Sequence, residues 1–168
     1  MLSPLYGYSA VDNQAVITVK GKVTKGTCTL SVSEQTVKFT QPILMQNVAN
    51  IGEREENKIP FSVNYNCQDY EDKTPDIEMR IKAGAGTEII NNKIVPINNP
   101  TNTSFVIYDC KKTACTLVNF KTGESAVYIA TGNGNKNSAF QVELVKKDSA
   151  PIHPGTLKAV LALTLIQP

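Results

Sequence analysis

The sequence predicts an all-β protein built as a two-sheet antiparallel sandwich. Three observations carry this. Segment after segment alternates apolar and polar residues at period two, the spacing that turns one face of a strand towards a core. Clusters of Asn, Gly and Pro divide these segments into about eight to ten short strands. No stretch has the apolar repeat of a convincing amphipathic helix.

Residues 11–23 (VDNQAVITVKGKV) open the pattern. Val11, Asn13, Ala15, Ile17, Val19, Gly21 and Val23 share one face; Asp12, Gln14, Thr18, Lys20 and Lys22 share the other, with Val16 the exception. Branched residues suit a pleated surface. No tight turn follows, so this strand has no hairpin partner nearby and must find its sheet further away, in its own molecule or another. Residues 26–32 continue extended, with Cys28, Leu30 and Val32 on one side, and 36–40 alternate again with Val37 and Phe39 paired on a face. Residues 41–52 are looser, because Pro42 opposes a helix through their start and Gly52 closes them. The charged stretch 53–58 (EREENK) is expected as a solvated loop.

Residues 59–67 (IPFSVNYNC) make a strong strand with Phe61, Val63, Tyr65 and Cys67 on one face. Residues 76–83 (DIEMRIKA) set Ile77, Met79, Ile81 and Ala83 against Glu78, Arg80 and Lys82, a half-buried strand. Gly84-Ala85-Gly86 resembles a piece of a phosphate-binding loop. It lacks a third glycine, and the strand-like Glu88-Ile89-Ile90 follows where a helix would be needed, so a tight turn is expected. Residues 94–97 contain Pro96 and suit a sheet edge or a loop, and 98–104 (NNPTNTS) are turn chemistry. Residues 105–108 and 116–120 are expected as two strands joined by DCKKTAC. Residues 126–131 form another, followed by a loose polar turn over 132–135. Residues 140–146 alternate Phe140, Val142 and Leu144. After the break at 151–154, the final run 155–167 (GTLKAVLALTLIQ) is apolar on both faces and is expected inside the sandwich, away from a wet edge.

At 168 residues the chain fits one domain with a sound core. Its 17 basic and 15 acidic side chains leave a net charge of +2 and are scattered, which gives no basis for nucleic-acid binding. No apolar run approaches the roughly 18–20 residues that a membrane-spanning helix needs.

Four cysteines, Cys28, Cys67, Cys110 and Cys115, form an even set without Cys-x-x-Cys or Cys/His spacing, and His153 is the sole histidine. That favours disulfides over zinc, and an oxidising compartment. A bridge from Cys28 to Cys67 would contribute roughly 4 kcal/mol through loop entropy, and one from Cys110 to Cys115 much less. Export calls for a leader, and Tyr8-Ser9-Ala10 could be the tail of one. Residues 1–10 are therefore expected to be a residual leader or an added segment, with the mature chain starting near Val11.

Catalytic chemistry is hard to assemble. Bridged cysteines are no nucleophiles, and His153 sits in the proline-flanked turn PIHPG, where a surface histidine is the ordinary expectation. The acids Asp69, Glu71 and Asp72 lack the ligand ladder and turn glycine of a calcium loop. No enzyme, cofactor or metal is expected.

Three segments together resemble the chaperone–usher pilus subunits of Gram-negative bacteria. The opening AVITVKGKVTKGTCTLSV is similar to that family's N-terminal extension, glycine and first cysteine. PFSVNYNC matches its Phe-x-hydrophobic-x-x-x-Cys ending, and PGTLKAVLALTLIQP resembles its closing glycine and alternating apolar strand. Residue 11 to the end is covered, with the two terminal segments the specific parts. The chain departs from the family in having no aromatic near its end, where Ile166 precedes Gln167-Pro168, and in its second cysteine pair.

The resemblance implies an incomplete immunoglobulin-like β-sandwich, completed by donor-strand exchange, in a pilin secreted through the periplasm to an extracellular, adhesive fimbrium. Residues 11–23 would be the donor-strand extension and 24–168 the pilin domain. Val11, Asn13, Ala15, Ile17 and Val19 would enter a neighbour's groove, with Gly21 marking the exit. Leu157, Ala159, Leu161, Leu163 and Leu165 would line this chain's own groove, and the Pro168 carboxylate would be held by a periplasmic chaperone. The partners implied are neighbouring subunits in a head-to-tail polymer, that chaperone and an outer-membrane usher, with no membrane insertion. A single-domain carbohydrate-binding sandwich is the alternative, with sugar held by residues 68–75 or by the Asn-rich loops.

Overall fold

The computed structural model describes residues 16–23, 28–32, 36–38, 45–68, 77–111, 113–120, 124–129 and 134–166. In chain order their strands are β1 (Val16–Val23), β2 (Cys28–Val32), β3 (Thr36–Lys38), β4 (Lys58–Cys67), β5 (Ile77–Ala83) and β6 (Thr87–Ile90). They continue as β7 (Lys93–Pro96), β8 (Thr103–Asp109), β9 (Thr116–Leu117), β10 (Glu124–Ile129), β11 (Gly134–Lys146) and β12 (Lys158–Ile166). One sheet has the order β10-β5-β12-β1-β3; the other runs β2-β4-β11-β8-β7-β6, with β9 paired to β8. The only helical turns among the described residues are short 3-10 pieces at Met45–Asn47 and Glu55–Asn57. The chain is thus all-β in two sheets, consistent with an immunoglobulin-like sandwich.

Alternation in the sequence becomes alternation in burial. Along β4, Phe61, Val63, Tyr65 and Cys67 are buried while Ser62, Asn64 and Asn66 are half-buried on the opposite face. On β11, Phe140, Val142 and Leu144 are buried in the same core, with Phe140 opposite Phe61 and the two rings stacked at 5.3 Å between centroids. The first sheet contributes Ile17, Val19, Met79, Ile81, Leu161 and Leu163 to the same core. Burying a side chain of this size contributes about 1.5–3 kcal/mol, so the inner faces supply most of the driving force for folding.

The structure corrects several expectations. Twelve strands are present among the described residues, more than the eight to ten expected, because pieces as short as β3 and β9 pair with longer neighbours. The sandwich is not wholly antiparallel, since β1 lies parallel to β12. β11 starts at Gly134, inside the stretch expected as a loose turn, because residues 134–139 continue the ladder with β4. β7 is not an edge strand; it lies between β6 and β8, and Pro96 is tolerated as its last residue. Asn91 and Asn92, at φ 49° and 66°, make the two-residue turn that joins β6 to β7, the left-handed conformation that asparagine tolerates best after glycine. Residues 53–58 are mostly exposed, but Asn57 is buried and its Nδ2 donates to the Asn47 carbonyl at 2.8 Å.

β8 is buried on both faces, and its outer face needs its own cover. Val106, Tyr108 and Val145 form a second, smaller core beneath Ile51, Cys110 and Leu117. Within it Glu143 is 1% exposed. The Tyr108 hydroxyl donates to Glu143 Oε2 at 2.5 Å, and the Gly52 N–H is shared between the two carboxylate oxygens at 3.1 and 3.2 Å. Lys58 Nζ lies 4.6 Å from the centre of the Tyr108 ring. A buried carboxylate is tolerable only when paired in this way. Glu143 helps pin the segment before β4 to the sheet, together with the Lys146 N–H, which donates to the Ala49 carbonyl at 2.9 Å.

Burial, then the hydrogen bond to Glu143 and the charges of Glu143 and Glu55, raise the Tyr108 pKa above its ordinary 10.0. A raised folded-state value means that this stabilisation is complete below pH 10.0 and is lost as pH climbs above it. The urea midpoint should therefore fall above that pH, and Tyr108→Phe should remove part of the fall. At neutral pH Tyr108→Phe should lower stability by about 1.5–3 kcal/mol, the range for a hydrogen bond to a charged group; equilibrium urea melts check both.

Candidate functional site

The two segments that the sequence marks as special, at either end of the chain, lie side by side. β12 is central in its sheet, with β5 on one edge and β1 on the other. Its register with β1 runs without interruption from Val16 opposite Lys158 to Val23 opposite Leu165. Ile17 stands opposite Ala159, Val19 opposite Leu161 and Gly21 opposite Leu163. Leu157, Ala159, Leu161 and Leu163 are all at most 2% exposed, as are Ile17 and Val19. The Val16 N–H donates to the Leu157 carbonyl at 3.0 Å and begins the ladder.

The residues expected to enter a groove and those expected to line one therefore meet within a single molecule. Val11, Asn13, Ala15 and Pro168 lie outside the described residues. Leu165 belongs to β12 and faces Val23 in the register. The outer side of β12 is less buried than its apolar sequence suggested: Lys158 is exposed, and Val160, Ala162 and Thr164 are half-buried. Only one face of the strand belongs to the core.

β12 is held on its other edge independently of β1. Beyond the pairing with β5, the Gly84 N–H donates to the Val160 carbonyl at 2.7 Å, and the Val160 N–H donates to Thr87 Oγ1 at 2.9 Å. A Cβ at Gly84 would stand 2.4 Å from Val160 Cγ1, so only glycine lets this turn close against β12. The turn itself is as expected, with the Thr87 N–H bonded to the Gly84 carbonyl at 3.2 Å. That Gly84 and Thr87 brace β12 had no signal in the sequence beyond the glycine.

Across β1 lies β3, short and antiparallel, with Val16, Ile17 and Thr18 opposite Lys38, Val37 and Thr36. Taking β1 away would leave two unpaired backbone edges, on β12 and on β3, around an apolar floor. That is a slot shaped for one extended strand.

The cysteines fall as the spacing suggested. Cys110 and Cys115 are disulfide-bonded, clasping the link between β8 and β9. Cys67 is also disulfide-bonded, and Cys28 stands directly opposite it in the β2–β4 pairing. His153 is exposed, with its backbone N–H bonded to the Thr101 carbonyl at 3.0 Å. Among the described residues no three His, Cys, Asp or Glu side chains gather as a metal site would require, and no helix is long and apolar enough to cross a membrane.

A second concavity lies on the outer face of the other sheet. Thr29, Asn64, Asn66, Asn135, Lys136 and Asn137 line a depression of about 440 Å³. Asn66 is opposite both Thr29 and Asn135 in the register, and Asn64 opposite Asn137. Asn137 Nδ2 donates to Asn64 Oδ1 at 2.5 Å.

The family model described as Fimbrial protein matches residues 17–166, from the second residue of β1 to the last of β12. The chain belongs to the fimbrial protein family. No match is found among curated proteins. As a fimbrial protein it is a structural subunit of an extracellular fimbrium, and its partners are other pilus subunits. The match runs from β1 through β12.

Gly84→Ala tests the brace on β12. It should destabilise the fimbrial protein by about 1–3 kcal/mol, the range for overpacking a well-packed contact. The expected readout is a lower urea midpoint with an unchanged slope.

Proposed function

We propose that this fimbrial subunit polymerises by strand addition: residues 11–23 of one copy occupy the slot beside β12 of the next. The observation that carries this reading is the position of β1. It is the first strand among the described residues, it fills a slot bounded by β12 and β3, and Ile17 and Val19 pack in the core. A strand from another copy with the same sequence offers the same apolar face and the same backbone groups. Main-chain hydrogen bonds would give affinity and the side-chain positions would set the register. Such a contact is head to tail and does not close, so it extends into a filament.

An empty slot is a hazard, because bare sheet edges and an apolar floor invite aggregation. This supports a periplasmic chaperone as the first occupant and an outer-membrane usher as the place of exchange, with the Pro168 carboxylate as a chaperone contact. Residues 24–168 are then the pilin domain and 11–23 the donor, with any residual leader confined to 1–10.

Deleting residues 11–19 should give a subunit that is carried by the chaperone and accepts a synthetic 11–23 peptide but yields no fibres. Electron microscopy of cells producing the variant is the check; fibres of normal length would sink the donor role.

One observation favours a second, compatible reading as a carbohydrate-binding subunit. The depression on the β2-β4-β11 face gathers four asparagine side chains, and neighbouring amides offer the alternating donors and acceptors that vicinal hydroxyls match. Sugar would bind on the sheet face. Titrating the labelled protein with oligosaccharides should shift the amide signals of Asn64 and Asn137 in the wild type and not in Asn64→Ala/Asn137→Ala. Unmoved signals at millimolar sugar would rule this out.

A further inference from the structure

The depression on the β2-β4-β11 face holds a buried side-chain oxygen, Asn66 Oδ1, that has no hydrogen-bond partner among the described residues. We infer that the depression takes an acetamido sugar, with the N–H and C=O of the acetamido group held between Asn66 and Asn135. This rests on the carbohydrate reading and names the class of sugar for that site. It does not depend on strand addition.

The unpaired oxygen is the first observation. Buried polar atoms are nearly always paired, and an acceptor without a donor is costly. Thr29, directly opposite on β2, does not serve it; its hydroxyl donates to the Asn66 backbone carbonyl at 3.5 Å. Asn66 as a whole is half-buried and borders the depression, while its Oδ1 is shielded from water. The last torsion of an asparagine side chain is soft and nearly two-fold. Turning it towards the depression breaks no bond at Oδ1, and a ligand can then supply the missing donor.

The four amides also divide into a fixed pair and a free pair. Asn137 Nδ2 donates to Asn64 Oδ1, which holds those two together. Two residues further along the same strands, Asn66 and Asn135 stand opposite one another. Neither makes a side-chain hydrogen bond among the described residues. Opposite residues in a ladder have their Cβ atoms about 4.5–5.5 Å apart, so the two free amides lie side by side at the depression.

The group that matches two such amides is a third amide. A secondary amide is planar and trans, with its N–H and C=O pointing in opposite directions. It can donate to Asn66 Oδ1 and accept from Asn135 Nδ2 at once. A hydroxyl carries donor and acceptor on one atom and spans a shorter gap. The depression, at about 440 Å³, lies within the roughly 300–1,000 Å³ of small-molecule sites. The Asn64–Asn137 pair remains beside the free amides for the ring hydroxyls.

The test titrates N-acetylglucosamine and N-acetylgalactosamine against glucose and galactose, which lack only the acetamido group, into isotope-labelled full-length protein. The side-chain amide signals of Asn66 and Asn135 should move with an acetamido sugar. Its affinity should exceed that of the parent hexose at least about tenfold, the effect of one well-made hydrogen bond. Asn66→Ala and, separately, Asn135→Ala should bring the two affinities together; Asn135 is exposed, so its replacement leaves the core untouched. Equal affinities in the wild type, or a preference that survives either substitution, would overturn the acetamido assignment and leave the carbohydrate reading in place. No movement of any amide signal of the depression with any of the four sugars would overturn both.

Discussion

The pairing of β1 with β12 is the contact on which the rest of the sandwich depends. It joins the two ends of the described chain, places Ile17 and Val19 over the core and closes the sheet between β5 and β3. Without it the sheet splits into a β10-β5-β12 part and the short β3, each with an open edge beside apolar side chains. Four residues after β1 the chain enters β2 in the opposite sheet. In the proposed strand addition, an identical segment from another molecule would restore the same core. Under that proposal the contact that stabilises the subunit is also the one that would extend a fimbrium.

Much of this was legible in the sequence because period-two alternation reports one buried face directly. β4, β5 and the core positions of β12 were readable for that reason: Phe61, Val63 and Tyr65, Met79 and Ile81, and Leu161 and Leu163 all point inward as their spacing requires. The cysteines were readable because four of them with one histidine leave little other chemistry. The partner of residues 11–23 was not readable. Alternation fixes which face of a strand is buried but not which neighbour covers it, so a strand that fits another molecule's slot and one that fits its own have the same pattern.

Features that arise from packing between remote segments were equally hidden. Glu143 sits in FQVELVK as an ordinary outward residue of an alternating strand, yet it is buried because residues 45–57 fold across that face and Gly52 donates to it. β8 could not be known to be buried on both sides, since its outer cover comes from Ile51 and Leu117 as well as the strand's own neighbours. The start of β11 was obscured by composition: Gly134, Asn135 and Asn137 suggest a turn, but each pairs with a residue of β4. Asparagine is an unfavourable strand residue in general and an acceptable one where an outer face is polar and the ladder is long.

Strand addition as proposed requires the slot to survive a change of occupant. An acceptor that collapsed when β1 left would be useless to the next strand. Here β12 is fixed from the far side by β5, by the Gly84 N–H and by Thr87 Oγ1, none of which touches β1 through a hydrogen bond to it. The second sheet adds its own rigidity through the Glu143–Tyr108–Gly52 cluster and the Phe61–Phe140 stack. The floor and the far wall of the slot are thus held by contacts that do not depend on β1. The proposed strand addition needs this division, because an acceptor must keep its shape while one strand takes the place of another.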